Sequence, residues 1–256
     1  MPRFAADLAA LWPGLSLPEA ALRAADAGFT AVDIPDPYGA AVPELAEALR
    51  LLGLTVATIS CPPPNYTGGQ RGFAAVPGLE TRFRGDLRRS LRYARALGAE
   101  QLVLMTGAVA EGADRDAARR CLLENLAEAA EAAEAAEGIG LLLRPVSPKV
   151  HPGAYLGDPL LAAEIVEAAG LPSLGLAFDA WHMHEMTGDV PGLWDRLAPQ
   201  VRHVQVAGAP GRGEPAGGEI DYPAFFAALD AAGYAGWVSA NYRPRGAVEA
   251  GLGWRG

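Results

Sequence analysis

The chain has 256 residues, of which 50% are hydrophobic and 20% are charged, and its formal net charge is −9. This composition suits one domain with a large core, and the acidic balance argues against nucleic acid or an anionic membrane surface as a partner. The sequence has no apolar run of the roughly 18 residues that a transmembrane helix needs, no long apolar signal segment, and too few cysteines for a disulfide scaffold. We therefore expect a cytoplasmic protein.

One pattern recurs along the chain: an alanine-rich amphipathic helix, a glycine, and then a short apolar run. The glycines are Gly28, Gly53, Gly98, Gly138, Gly170 and Gly233. A glycine placed just after a helix adopts the left-handed conformation without a Cβ clash, and a run that is apolar on both faces is typical of a parallel strand covered by helices. In chain order, we predict strands near 4–8, 31–34, 54–60, 101–106, 139–143, 174–179, 201–206 and 236–241. We predict helices near 18–27, 43–52, 79–97, 115–137, 158–169, 190–198 and 223–232, with a short last helix near 246–252.

The alternation of strands and helices predicts the fold. Eight such repeats over about 250 residues indicate an α/β protein with a (β/α)8 TIM barrel, as a single domain over 1–256. A doubly wound sheet is less well supported, because no glycine-rich phosphate turn follows the first strand. The long loop at 61–78 follows the third strand and has the length typical of a lid or a binding loop.

Polar side chains lie at or near the ends of four successive predicted strands: Arg144, Asp179, Gln205 and Asn241. Functional sites of such barrels lie at the carboxyl ends of the strands. Polar groups at a barrel mouth need partners, because an unpartnered buried group costs about 1–3 kcal/mol. The sequence therefore predicts a site that these four side chains form together.

Several longer stretches carry a family resemblance: "MPRFAADLA", "AAVPG", "FDAWHMHEMTGD", "HVQVAGAPGRGEPAGGEIDYP", "GYAGWVSANYRPRG" and "GLGW". Through them the chain resembles, from end to end, the hydroxypyruvate isomerase family of xylose isomerase-like TIM barrels. The resemblance implies isomerisation of a small α-hydroxy carbonyl acid through an enediolate. It also implies a divalent metal, Mg or Mn, acting as a Lewis acid, and two glutamates acting as general base and acid.

The resemblance also implies roles for single residues of this chain. Asp179 and Gln205 stand at metal-ligand positions, His182 at a position that contacts a substrate oxygen, and Arg212 at a position suited to an anionic substrate. The two glutamate positions hold Arg144 and Asn241 instead.

These two substitutions change the charge of the predicted metal site. The four ligand positions go from a formal charge of −3 to 0, because Arg144 contributes +1 and Asp179 −1, whereas Gln205 and Asn241 are neutral. A divalent cation prefers anionic oxygens. We therefore expect no cofactor, with Mg or Mn as the alternative. We expect Arg144 to occupy the vacated metal position, to pair with Asp179, and to keep donors free for a small anionic hydroxy or keto acid.

Three functions remain open at this point. The first is a binding protein or pseudoenzyme for such an acid, and the second is a metal-independent isomerase with Arg144 as an oxyanion clamp. The base would then be His182, His184, Glu185 or Glu214. The third is a Schiff-base enzyme on Lys149, which is the only lysine, lies in the loop after the fifth strand, and is also a candidate substrate-binding residue.

A metal-dependent nuclease of the related repair class is not favoured. Such an enzyme needs a cluster rich in histidine and carboxylate, and this acidic chain has four histidines in all. Family relatives suggest a homo-oligomer.

Overall fold

Eight parallel strands close into a barrel. A computed structural model describes residues 2–61 and 72–255. Each strand pairs with the next one in sequence, and the eighth pairs with the first, so the predicted (β/α)8 barrel is confirmed. The strands are β1 (Arg3–Asp7), β2 (Ala31–Ile34), β3 (Thr55–Cys61), β4 (Gln101–Leu104), β5 (Gly140–Leu143), β6 (Leu174–Asp179), β7 (Val201–Val206) and β8 (Trp237–Ala240).

Helices lie between the strands and cover the barrel. They are α1 (Leu8–Leu11), α2 (Leu17–Asp26), α3 (Val42–Leu52), α4 (Glu80–Leu97), α5 (Arg115–Glu134), α6 (Pro159–Ala169), α7 (Ala180–Thr187), α8 (Val190–Leu197) and α9 (Tyr222–Ala231). Short 3₁₀ helices span Ala198–Gln200 and Glu249–Arg255. The six glycines of the repeat all have positive φ, as the helix–glycine–strand pattern predicts. Within the described part of the chain, no helix combines the length and the apolarity needed to cross a membrane.

Two helices, α1 and α7, are absent from the prediction, and each begins at an aspartate that ends a strand. The Asp7 carboxylate accepts a hydrogen bond from the Ala10 amide at 3.0 Å, and the Asp179 carboxylate accepts one from the His182 amide at 3.2 Å. An aspartate at this position stabilises the first turn of a helix by satisfying an amide that has no partner within it. For this reason β1 ends at Asp7 rather than continuing to residue 8.

The other differences are small. The last predicted helix is a 3₁₀ helix shifted to 249–255, and β4 ends at Leu104, two residues earlier than predicted. Most of the predicted loop at 61–78 lies outside the described residues, since 62–71 are not described.

Strand register sets which side chains meet at the mouth. Asp179 of β6 stands opposite Gln205 of β7, and Asp7 of β1 stands opposite Asp33 of β2. All four side chains are buried. The carboxyl ends of β1, β2, β6 and β7 therefore bring three acidic groups and one amide to the same end of the barrel.

Candidate active site

Arg212, in the loop after β7, is held on several sides. Its Nη2 donates to Asp179 Oδ2 at 2.8 Å and to Asn241 Oδ1 at 2.7 Å, and its Nε donates to the Asn241 main-chain oxygen at 3.3 Å. The guanidinium also lies over the ring of Trp181, 4.8 Å from its centroid. The protein thus fixes both the position and the orientation of this guanidinium.

Arg212, and not Arg144, forms the ion pair with Asp179, so the expected direct pairing of Arg144 with Asp179 is wrong. Asp179 is 1% exposed. Burial alone would raise the pKa of its carboxyl, but the charge of Arg212, with that of Arg144, outweighs burial and holds the pKa below its usual range. Arg212 reaches Asp179 from the loop after β7 and forms the hydrogen bond. Arg144 acts on the Asp179 carboxylate through its charge alone.

Arg144 follows directly after β5 and has few partners among the described residues. Its Nη1 donates to Gln205 Oε1 at 3.1 Å, and the contact recorded for Nη2 is the Met105 sulfur, at 3.9 Å. Its Nε is buried and has no hydrogen-bond partner among residues 2–61 and 72–255. Burial lowers the pKa of this guanidinium, and the charge of Arg212 adds to the effect, whereas Asp179 opposes it. An arginine still remains a cation at neutral pH, and within the described part of the chain its Nη1 donates to one oxygen and its Nε to none.

Gln205 connects Arg144 to Asp33. The Gln205 Nε2 donates to Asp33 Oδ2 at 3.2 Å, which turns the amide oxygen of Gln205 toward Arg144. Asp33 also pairs with His203 Nε2 at 2.9 Å, so His203 belongs to this network and not to a separate site. Burial would raise the pKa of Asp33, but the charge of His203 and its hydrogen bond outweigh burial and lower it.

Asp7 is a functional candidate that the sequence analysis missed. It is 2% exposed, its Oδ2 accepts from Asn241 Nδ2 at 2.7 Å, and its Oδ1 accepts from the Ala10 amide. Burial, together with the negative charge of Asp33, raises the pKa of Asp7 to about 7, although Arg144 and Arg212 oppose this. The signal in the sequence is an acidic residue at the end of an otherwise apolar strand, and the same signal marks Asp33.

His182, at the start of α7, is a neutral hydrogen-bond donor. Its Nδ1 accepts from the Ser147 amide at 3.1 Å, and a neutral imidazole has one acceptor nitrogen, so Nε2 carries the ring proton. Burial lowers the pKa of His182 to about 4. The Nε2 atom lies 3.3 Å from Arg212 Nη1. Two donors this close need an acceptor between or beside them, and a ligand oxygen would satisfy both.

The remaining predicted residues lie nearer the surface. Lys149 is 72% exposed along its side chain, with its Nζ 3.8 Å from the Glu185 carboxylate. His184 Nε2 lies 2.8 Å from Glu219 Oε2, and Glu214 Oε1 accepts a hydrogen bond from the Arg245 amide at 2.8 Å. The structure thus brings Arg144, Asp179, His182, Gln205, Arg212 and Asn241 together at the mouth and places Lys149 outside that group.

A divalent metal at Asp179 and Gln205, as the family resemblance implies, does not fit the side chains present. Asp179 Oδ2 accepts from the Arg212 guanidinium, and Gln205 Oε1 accepts from that of Arg144. A cation bound to these two oxygens would lie within a few ångströms of both guanidinium groups, where it is strongly repelled. Among the described residues, no group of three or more histidine, cysteine, aspartate and glutamate side chains is arranged to hold a metal.

Comparison with known proteins agrees with the geometry of the barrel. The family model described as "Xylose isomerase-like TIM barrel" matches residues 21–255. The chain is 39% identical to 2-oxo-tetronate isomerase of Cupriavidus necator over 99% of this chain and 97% of that protein. It is 33% identical to hydroxypyruvate isomerase of Escherichia coli over 99% and 98%.

A solved structure gives a similar result. A protein from Brucella melitensis, described as an AP endonuclease of family 2, superposes with a TM-score of 0.94 at 36% identity, over 99% of this chain and 98% of that one. The chain belongs to the xylose isomerase-like TIM barrel family, and the two relatives described above are named 2-oxo-tetronate isomerase and hydroxypyruvate isomerase.

Proposed function

We propose that this chain is a hydroxypyruvate isomerase-like protein that binds a small 2-oxo or 2-hydroxy acid at the barrel mouth without a metal. The observation that carries the proposal is the guanidinium of Arg144. It stands at the end of β5, donates to one protein oxygen, that of Gln205, within the described residues, and keeps a buried Nε without a partner. The names of the curated relatives support a small oxo acid as the ligand.

The arrangement suits a carboxylate next to a carbonyl or hydroxyl group. The free donors of Arg144 would bind the carboxylate, because a planar guanidinium forms charge-assisted hydrogen bonds worth about 1.5–3 kcal/mol. The Nε2–H of His182 and the Nη1 of Arg212 would share the neighbouring oxygen. Binding would then give the two facing donors a shared acceptor.

A second candidate, metal-independent isomerisation, is favoured by Asp7. A carboxyl whose pKa is about 7 can both take and return a proton at neutral pH. In this reaction the Asp7 carboxylate would take the proton from the hydroxyl-bearing carbon, and the electrons of that bond would form an enediolate. Arg144 would hold the enediolate oxygen as an oxyanion clamp. Asp7 would then return the proton to the neighbouring carbon, while the hydroxyl proton of the first carbon passes to the enediolate oxygen on the second. These two transfers together complete the exchange between ketone and aldehyde.

Calorimetric titration of hydroxypyruvate in EDTA tests the first candidate. We expect binding by the wild type and a loss of at least tenfold in affinity for Arg144→Gln, while Arg95→Gln, a change at an exposed ion pair on α4, leaves affinity unchanged. Binding that requires Mg²⁺ or Mn²⁺, or that is unaffected by Arg144→Gln, would contradict the proposal.

Exchange of carbon-bound hydrogen separates the two candidates. If Asp7 moves a proton, the wild type should incorporate solvent deuterium at C3 of hydroxypyruvate faster than buffer does, and Asp7→Asn should lose this activity. If the protein binds hydroxypyruvate but exchange proceeds only at the buffer rate, isomerisation is excluded and binding is the remaining function.

We do not propose for this chain the nuclease activity that the name of the Brucella structure suggests. Net charge of −9 disfavours nucleic acid, and the donor set at the mouth does not suit a metal cluster. Cytoplasmic location and a homo-oligomer remain predictions, which cell fractionation and light scattering would test.

A further inference from the structure

A cavity of about 190 Å³ lies beside Arg144, between the loops that follow β4 and β5. At roughly 30 Å³ for each water-sized group, it holds about six heavy atoms. Six apolar residues line it: Met105, Ala108, Val146, Val150, Pro152 and Ala154. Its polar lining side chains, among the described residues, are Arg144, Thr106 and His151. The ring of His151 lies 5.7 Å from that of His182, so the cavity adjoins the polar mouth on two sides.

The walls of this cavity are held by hydrogen bonds between the two loops. The Val109 amide donates to the Gly153 oxygen at 2.9 Å, and the Tyr155 amide donates to the Gly107 oxygen at 3.0 Å. The Val146 amide donates to the Leu156 oxygen at 3.0 Å. These hydrogen bonds hold the two loops together without a ligand. Among the lining residues, the amides of Val146, Val150, His151 and Ala154 and the oxygen of Gly107 already have backbone partners.

The chemistry of the lining selects the ligand. A chain carrying several hydroxyl groups would place most of them against alanine, valine, proline and methionine side chains, since Thr106 and His151 are the polar side chains besides Arg144 that line the cavity among the described residues. A buried hydroxyl without a partner is costly, whereas a methylene gains from leaving water. Arg144 lines this cavity and also reaches Gln205 at the mouth, so it would hold a carboxylate at the entrance of an apolar chamber.

We infer that the cavity beside Arg144 receives the apolar tail of the bound acid, so that the site prefers a 2-oxo acid with a short alkyl chain to a polyhydroxylated one. This inference rests on the proposed binding of a small acid by Arg144. It adds a specificity subsite formed by the loops after β4 and β5, with Val146 and Ala108 as residues that set its depth.

Two comparisons of ligands test the inference by calorimetry. Hydroxypyruvate and 2-oxobutyrate have the same number of heavy atoms and differ by a hydroxyl in place of a methyl group, so we expect 2-oxobutyrate to bind about tenfold more tightly. In the series glyoxylate, pyruvate, 2-oxobutyrate and 2-oxopentanoate, affinity should rise about fourfold with each methylene or methyl group added. Glyoxylate has no tail and reports on the carboxylate contact alone.

Substitutions locate the effect. Val146→Phe should fill the cavity and remove the advantage of the longer acids while changing the affinity for glyoxylate less than twofold. Ala108→Leu is a second filling variant in case Val146→Phe does not fold. Val109→Phe is the matched control, because Val109 lies in the same loop as Ala108 but lines an outer groove, and it should leave the series unchanged.

The outcomes separate this inference from the proposed function. Glyoxylate that binds in an Arg144-dependent way, together with a flat series or tighter binding of hydroxypyruvate than of 2-oxobutyrate, overturns the inference alone. A series that rises in the wild type and equally in Val146→Phe overturns the location of the subsite. Failure of glyoxylate and all longer acids to bind overturns the proposed function and the inference with it.

Discussion

The two guanidinium groups of the mouth differ in how fully the protein occupies them. Arg212 is paired with Asp179 and with both the side chain and the main chain of Asn241, and it lies over an aromatic ring. Arg144 contacts the Gln205 oxygen and the Met105 sulfur, and its Nε is left without a partner within the described residues. On the β6–β8 side of the mouth most donors are therefore paired, the exception being the facing His182 Nε2 and Arg212 Nη1. The β4–β5 side has both donors and space available for a ligand.

The largest expected effect is on stability, from breaking the occupied side. Arg212→Met leaves the buried Asp179 carboxylate without its counter-ion, and breaking such a pair costs about 3–5 kcal/mol. We expect urea denaturation at neutral pH to show a loss of this size. Arg95→Met, which removes an exposed ion pair with Glu137, should cost less than about 1 kcal/mol. Equal losses in the two variants would show that Arg212 does not stabilise the mouth.

Asp7 should make stability depend on pH. The unfolded chain has an ordinary aspartate pKa of about 4, whereas the folded chain raises the pKa of Asp7 to about 7 and so binds its proton more tightly. The contribution of this group to the free energy of unfolding therefore falls by on the order of 4 kcal/mol as pH rises from about 4 to about 7. Above about pH 7 the contribution is constant. Asp7→Asn should remove most of this fall, as measured by denaturation at several pH values. An unchanged pH profile would mean that Asp7 does not titrate in this range.

Carboxylates at positions 144 and 241 should create a metal site at the ends of β5 to β8. In the variant Arg144→Glu with Asn241→Glu, the four strand-end positions return to a formal charge of −3, so we expect Mn²⁺ to bind at least 100-fold more tightly than to the wild type, about 2.7 kcal/mol. Calorimetric titration of Mn²⁺ measures this. Asn241→Glu alone, which keeps the Arg144 guanidinium, is the matched control and should gain far less. A double variant that binds no more Mn²⁺ than the wild type would show that the charge of these four positions does not determine metal binding.

The smallest effect is expected at His182, where we predict no change with pH. Because burial lowers the pKa of this ring to about 4, its nitrogen chemical shifts should stay constant between about pH 5 and 8. Nitrogen-detected NMR of the imidazole measures this directly. A titration midpoint near 6.5 would make His182 a cation in part of this range and would weaken its role as a neutral donor.

The fold could be predicted from local sequence, and part of the site could not. The helix–glycine–strand repeat predicts six of the eight strands, because a left-handed glycine and an apolar run are local signals, and β1 and β7 are predicted from their own apolar stretches. The convergence of Arg144, Asp179, Gln205 and Asn241 follows from their places at the strand ends. Asp7 contacts Asn241 across 234 residues, and this contact exists only because β1 and β8 close the barrel. Likewise, the sequence could not show that Asp179 pairs with Arg212 rather than with Arg144, because Arg212 lies in a loop whose path is not set by the strand pattern.

The most direct test is a crystal structure grown with hydroxypyruvate and Mn²⁺, with anomalous scattering recorded for manganese. We predict a carboxylate bound to Arg144 and no manganese peak between Asp179 and Gln205. A manganese ion coordinated by Asp179 and Gln205, with the Arg144 guanidinium turned away from Gln205, would contradict it.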